Sequence, residues 1–156
     1  MAENLIHIFV YGTLKPGECN YQRYCAGRVV RERLAIAEGQ LFHLSLGYPG
    51  MTPGEGWVSG AVLSFPDESI FEDLDRLEDY QRDRQPEQNE YQRQQIQTLT
   101  PDFQPLEVAW VYLMNPAKIE HYQGVYLPDG NWNAIAQGID SHSEPVTSHQ
   151  LLGNRE

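Results

Sequence analysis

Two stretches of this 156-residue chain place residues where chemistry could use them: the acidic run "IFEDLDRLEDY" (70–80) and the glycine turn "FVYGTLKPG" (9–17). On a helix, successive residues advance by about 100°. That rotation gathers Ile70, Phe71, Leu74 and Leu77 into one apolar stripe about 120° wide, enough to face a core. Glu72, Asp73, Asp75, Arg76 and Asp79 fall outside it. Glu78 falls about 40° from Leu74, on the inward face between Leu74 and Phe71. A carboxylate there is expensive to bury without compensation. Burial disfavours its charged form, and the negative end of the helix acts in the same direction. An acid tuned upward toward neutral pH suits general acid–base catalysis. The competing reading puts Glu78 at a fraying helix end, where it reaches water.

Tyr11-Gly12-Thr13-Leu14 follows a short apolar run. Glycine admits close backbone approach and lets successive N–H groups point one way. Such a nest holds a carboxylate or an oxyanion. The turn is neither a Walker loop nor a dinucleotide fingerprint, and ordinary hairpins use the same residues. Lys15 reads as a solvated loop lysine. Other chemistries find less support. Cys19 and Cys25 form no Cys-x-x-Cys pair and read as reduced thiols. The five histidines, His7, His43, His121, His142 and His149, are scattered without metal-ligand spacing. The chain has no Gly-x-Ser-x-Gly elbow, which argues against a serine hydrolase.

The elements that must position these residues read as mixed. "LIHIFV" (5–10) is a buried first strand. "RVVRERLAIAEGQLFHL" holds one or two strands punctuated by Gly39. Gly47–Gly60 reads as a turn-rich loop leading into the strand "WVSGAVLSF", in which Gly60 implies close approach by another backbone. "PDESIFEDLDRLEDY" (66–80) is the best helix, with Asp67 or Ser69 as N-cap. "YQRQQIQTL" and "EVAWVYLM" make a strand pair across "TPDFQP". "WNAIAQGI" (132–139) is a short helical candidate. The order favours an α+β fold, a sheet curled into a small barrel with a helix against it. The expected division is one domain over 1–140 and a polar tail over 141–156.

The net charge of −11 argues against nucleic-acid or anionic-membrane partners. The first 35 residues carry +2 and the rest −13, so a small anionic ligand fares best near the first third. No apolar run approaches a membrane span and no secretory signal is legible. The expected location is the cytoplasm.

Taken together, "VYGTLKPGECN", "GYPGMTPGEGWVSGAV", "LDRLEDY", "EYQRQQI" and "AWVYLMN" resemble the γ-glutamylcyclotransferase-like (AIG2-like) family, in order, from about Ile8 to Asn115. The resemblance implies a small mixed β-barrel with flanking helices and a pocket beside the Tyr-Gly-Thr-Leu turn. It implies a general acid/base glutamate at Glu78, a substrate-binding loop at Tyr11, Gly12, Thr13 and Leu14, and pocket tyrosines at Tyr91 and Tyr112. The activity it implies cyclises a γ-glutamyl group to 5-oxoproline and releases an amine, with no metal and no cofactor. A non-catalytic binder of small molecules or peptides on the same barrel is the alternative. Asp79 stands where many members have glycine, and the segment after Asn115 follows no recognised pattern. The leaving amine and the oligomeric state are open at this level.

Overall fold

The structure, a computed structural model, describes residues 5–81, 83–85, 88–134 and 136–137. Strand β1 (Ile6–Val10) is the short apolar run expected. It is buried on both faces, with Ile8 and Val10 in one core cluster and Phe9 in another. Strands β2 (Arg31–His43) and β3 (Pro49–Phe65) form a long antiparallel hairpin, and β4 (Gln92–Leu99) pairs antiparallel with β5 (Pro105–Leu113). Neighbours run β3-β1-β5-β4-β2, and the β2–β3 pairing closes the ring. The result is the expected small mixed barrel. Its parallel contact is β1 against β5, around Ile8 and Trp110. A two-residue strand, β6 (Val125–Tyr126), extends β2 beyond the barrel.

The segment 31–43 is one continuous strand, within the expectation of one or two. One expectation about the hairpin needs correction: Gly47–Gly60 is mostly strand, not loop. The turn signals there mark a bulge. Between the pairs Glu38–Trp57 and Gln40–Thr52, the single residue Gly39 faces residues 53–56. Gly56, at φ +121°, takes the backbone angle that this excursion needs and that side chains disfavour. Gly60 behaves as expected: a Cβ there would lie 2.1 Å from the Val10 carbonyl oxygen.

Three helices flank the barrel: α1 (Tyr21–Tyr24), α2 (Ile70–Leu77) and α3 (Pro116–His121). Helix α2 is shorter than the 66–80 expectation. The Asp67 carboxylate accepts from the Ser69 amide at 2.9 Å, which organises the approach as a turn. Ser69 is the N-cap by position, with no side-chain cap bond. The described part of 132–139 is turn, not helix. Instead α3 forms earlier, with Asn115 accepting from the Ala117 amide and Pro116 in the first turn. An Asn-Pro pair is a start signal that local reading could have used. The tail 141–156 lies outside the described residues. No helix among the described residues is long and apolar enough to cross a membrane.

The core has two layers. Phe9, Tyr11, Ala37, Met51, Val62 and Val111 fill the barrel. Ile8, Leu63, Phe65 and Tyr112, on alternate positions of the same strands, meet Ile70, Leu74 and Leu77 of α2. Burying a leucine-sized side chain contributes about 1.5–3 kcal/mol, so the α2 stripe docks the helix firmly. That docking carries Glu78 to the barrel mouth, at the C-terminal ends of β1 and β5.

Candidate active site

Glu78 is the residue that ends α2. Its amide donates to the Leu74 carbonyl at 2.9 Å, so the last turn is closed and not frayed. The chain then reverses at Asp79, which adopts φ +52°. This is the left-handed position after a helix where glycine is favoured, and it accounts for the glycine common in similar sequences. Arg84 holds the reversal, donating to the Asp79 carbonyl at 2.8 Å and to its carboxylate at 3.2 Å.

The Glu78 side chain is buried. Among the described residues no donor hydrogen-bonds to its carboxyl group. Desolvation first, then the charges of Glu90 and Asp75, push its pKa from 4.5 to about 8. The water-exposed alternative is therefore set aside.

Three predicted tyrosines converge on it. Tyr11 extends from the end of β1 into the barrel and donates to the Tyr112 carbonyl at 2.5 Å. The Tyr91 hydroxyl donates to the Pro49 carbonyl at 2.7 Å, and that of Tyr112 to Asp75 Oδ1 at 2.7 Å. All three are held un-ionised, mainly by burial, and each feels the charge of Glu78. Asp75 is gripped by Arg93 at 2.7 and 3.0 Å, and the Arg93 guanidinium lies 3.9 Å from the centre of the Phe71 ring.

The glycine turn follows β1 directly. The Lys15 amide donates to the Gly12 carbonyl at 3.0 Å, and Asn20 ties down Thr13 through its amide at 2.8 Å and its side chain at 3.0 Å. The amides of Gly12, Thr13 and Leu14 donate no hydrogen bond among the described residues. Three successive amides are thus left without an acceptor among the described residues. Gly12 is also demanded by packing, since a Cβ there would come within 2.5 Å of the Pro49 ring. The Leu14 side chain points into the outer core. Lys15 is not the solvated lysine expected. It is half-buried and donates to the Trp132 carbonyl and, at 3.5 Å, to Asn131 Oδ1. Trp132 itself is fully buried in the inner core, with its indole N–H on His43 Nδ1 at 3.0 Å. The stretch that followed no recognised pattern thus walls the mouth beside the turn.

Sequence reading missed a second buried carboxylate. Glu90 accepts hydroxyl hydrogen bonds from Tyr48 at 2.6 Å and Tyr122 at 2.7 Å, one on each oxygen. Its amide donates to the Asp79 carbonyl at 3.1 Å. The position of Glu90 directly before Tyr91 was the available local signal. Cys19 and Cys25 are free thiols, and burial pushes Cys25 up to about 12.

Comparison with known proteins was made on this geometry. The family described as Gamma-glutamyl cyclotransferase, AIG2-like, matches residues 8–134, so the likeness continues past Asn115 through the Trp132 wall. The Gamma-glutamylcyclotransferase family protein ytfP of Citrobacter rodentium is 33% identical over 128 residues, covering 81% of this chain and 95% of that protein. An AIG2-like protein of Mus musculus superposes with TM-score 0.62 at 20% identity, over 91% of this chain and 98% of that one. YkqA of Bacillus subtilis superposes with TM-score 0.60 at 22% identity, over 87% of this chain but 44% of that one. The two structural likenesses speak to the fold.

Proposed function

This chain belongs to the gamma-glutamyl cyclotransferase, AIG2-like family, and on that premise we propose that it cyclises a γ-glutamyl group to 5-oxoproline and releases the attached amine. The observation that carries the reading is the buried Glu78 carboxyl at the mouth of the barrel, which receives no donor among the described residues and which burial pushes up to about 8. A base poised near ambient pH is what proton removal from an ammonium needs.

In this reading the free amides of Gly12, Thr13 and Leu14 bind the γ-glutamyl head group, and Tyr11, Tyr91 and Tyr112 shape the pocket around it. Holding the head group bent brings its α-nitrogen to its own γ-carbonyl carbon, so the attack is intramolecular and strongly favoured by proximity. The α-ammonium must first lose a proton, which ionised Glu78 accepts. The nitrogen then forms the ring C–N bond as the carbonyl π electrons move to oxygen, and a loop amide stabilises that oxyanion. Collapse breaks the bond to the leaving nitrogen, which takes that proton from Glu78; the ring nitrogen, still carrying one hydrogen too many, then gives it through ionised Glu78 to the released amine, which departs as an ammonium ion. Bonds and protons balance, with 5-oxoproline and a free amine as products. The reaction requires no metal, no organic cofactor and no second macromolecule. A cytoplasmic setting suits a reaction whose substrates are small γ-glutamyl compounds.

The test is to incubate the chain with γ-glutamyl dipeptides and γ-glutamyl amines and assay 5-oxoproline. Product with the wild type and none with Glu78→Gln supports the reading. Equal turnover by both removes Glu78 from the mechanism. Stabilisation by ligand without product supports the non-catalytic binder.

A further inference from the structure

The buried glutamate that the mechanism does not use stands beside the one it does. We propose that Glu90, clamped between Tyr48 and Tyr122, is a positioning residue that holds a fixed negative charge against Glu78 and so sets the pH range in which Glu78 exchanges protons. This deepens the reading above and rests on it for the catalytic role of Glu78.

The two carboxyl groups have opposite surroundings. Each Glu90 oxygen accepts a tyrosine O–H, at 2.6 and 2.7 Å, and both tyrosines come from outside its own segment. A carboxylate that receives donors at both oxygens is satisfied as the anion, because a protonated acid would bring a donor of its own to that crowded site. Glu78 receives no donor among the described residues, which suits the neutral acid. The hydrogen bond from the Glu90 amide to the Asp79 carbonyl ties the two together, one residue past Glu78. Adjacent titratable groups held in contrasting environments commonly divide the acid and base states between them.

Among the described residues, the other groups facing Glu78 leave Glu90 as the like charge without a cationic partner. Asp75, on the same helix, is bound at 2.7 Å by Arg93. Tyr11, Tyr24, Tyr48, Tyr91 and Tyr112 are all shifted upward and stay neutral through the working range. The Tyr48 hydroxyl on Glu90, shifted upward, is a neutral dipole and cancels no charge.

The test is a carboxyl-carbon NMR titration of the full chain labelled at glutamate, with Glu78→Gln identifying the Glu78 resonance. Removing a neighbouring like charge lowers the midpoint of a carboxyl group, here by about one pH unit or more in Glu90→Gln. Glu90→Asp keeps the charge and restores most of the elevation. Glu90→Ala also removes the charge and supplies a second measurement of the drop if Glu90→Gln fails to fold. With an active wild type, the acid limb of kcat/KM moves with the midpoint. A midpoint that stays in place in the folded variants overturns the proposal. Because the titration needs no turnover, a moved midpoint in a chain that makes no 5-oxoproline would sink the reaction and keep the positioning role.

Discussion

The two ends of the barrel treat their carboxylates in opposite ways. At the far end, beside the start of β1 and β5, partly exposed groups of opposite charge pair, although Arg33 Nε donates and Glu107 Oε1 accepts no hydrogen bond among the described residues. His7 Nδ1 and the Ser64 hydroxyl lie 2.7 Å apart, and Arg33 pairs with Glu107, with Arg31 3.9 Å away. Hydrogen bonding from Arg33 is the leading cause that holds the Glu107 carboxyl below its usual range. At the mouth, Glu78 receives no donor among the described residues and meets the like charges of Glu90 and Asp75. The far end neutralises its carboxylate as a stable fold prefers, whereas the mouth leaves one frustrated. Frustration of that kind is kept where chemistry needs a group away from its resting pKa.

The sharpest way to break this comparison is Glu78→Gln. General acid–base catalysis contributes about 10²–10⁴-fold, so 5-oxoproline formation should fall by that range. In the wild type, kcat/KM should rise with pH toward about 8, as free-enzyme Glu78 ionises. A flat profile between pH 6 and 9 would separate Glu78 from the rate.

Stability should move the other way. The folded chain holds the Glu78 proton up to about 8, whereas the unfolded chain releases it near 4.5. The contribution is therefore full below 4.5 and is lost as pH rises toward 8. The swing is at most about 5 kcal/mol. Urea midpoints across this window should fall for the wild type and stay flatter for Glu78→Gln.

Glu107→Gln probes the other end. Glu107 is shifted downward, so its stabilisation is present above the unfolded value and is lost as pH falls through the folded one. At neutral pH the variant should lose about 1 kcal/mol, the scale of a partly exposed ion pair, with kcat unchanged. A large fall in kcat would show that the ends are coupled. The smallest effect is expected from Asp79→Gly. Relief of the left-handed residue gains about 0.5–1 kcal/mol, partly offset by loss of the Arg84 contact and by chain entropy. Thermal melts should show a rise of a few degrees at most.

Much of the mouth was legible in the chain. The helical stripe placed Glu78 inward, the glycine turn leaves three amides without an acceptor among the described residues, and Tyr11, Tyr91 and Tyr112 carried over by resemblance and converge in space. The clamp on Glu90 was not legible, because Tyr48 and Tyr122 reach it from 42 and 32 residues away. The bulge at 53–56 was read as the middle of a loop because glycine and proline signal both a turn and an interrupted strand.

Local periodicity alone determined which face of α2 is apolar, which strands alternate, and that one carboxylate rides on the wrong face. These are properties of residues a few positions apart, where backbone geometry dictates the neighbour. Tertiary structure decided that, among the described residues, Glu78 lacks a donor and Glu90 has two, and that Lys15 meets Trp132. The state of a buried charge depends on every group packed around it, and those groups arrive from distant parts of the chain only when the barrel closes.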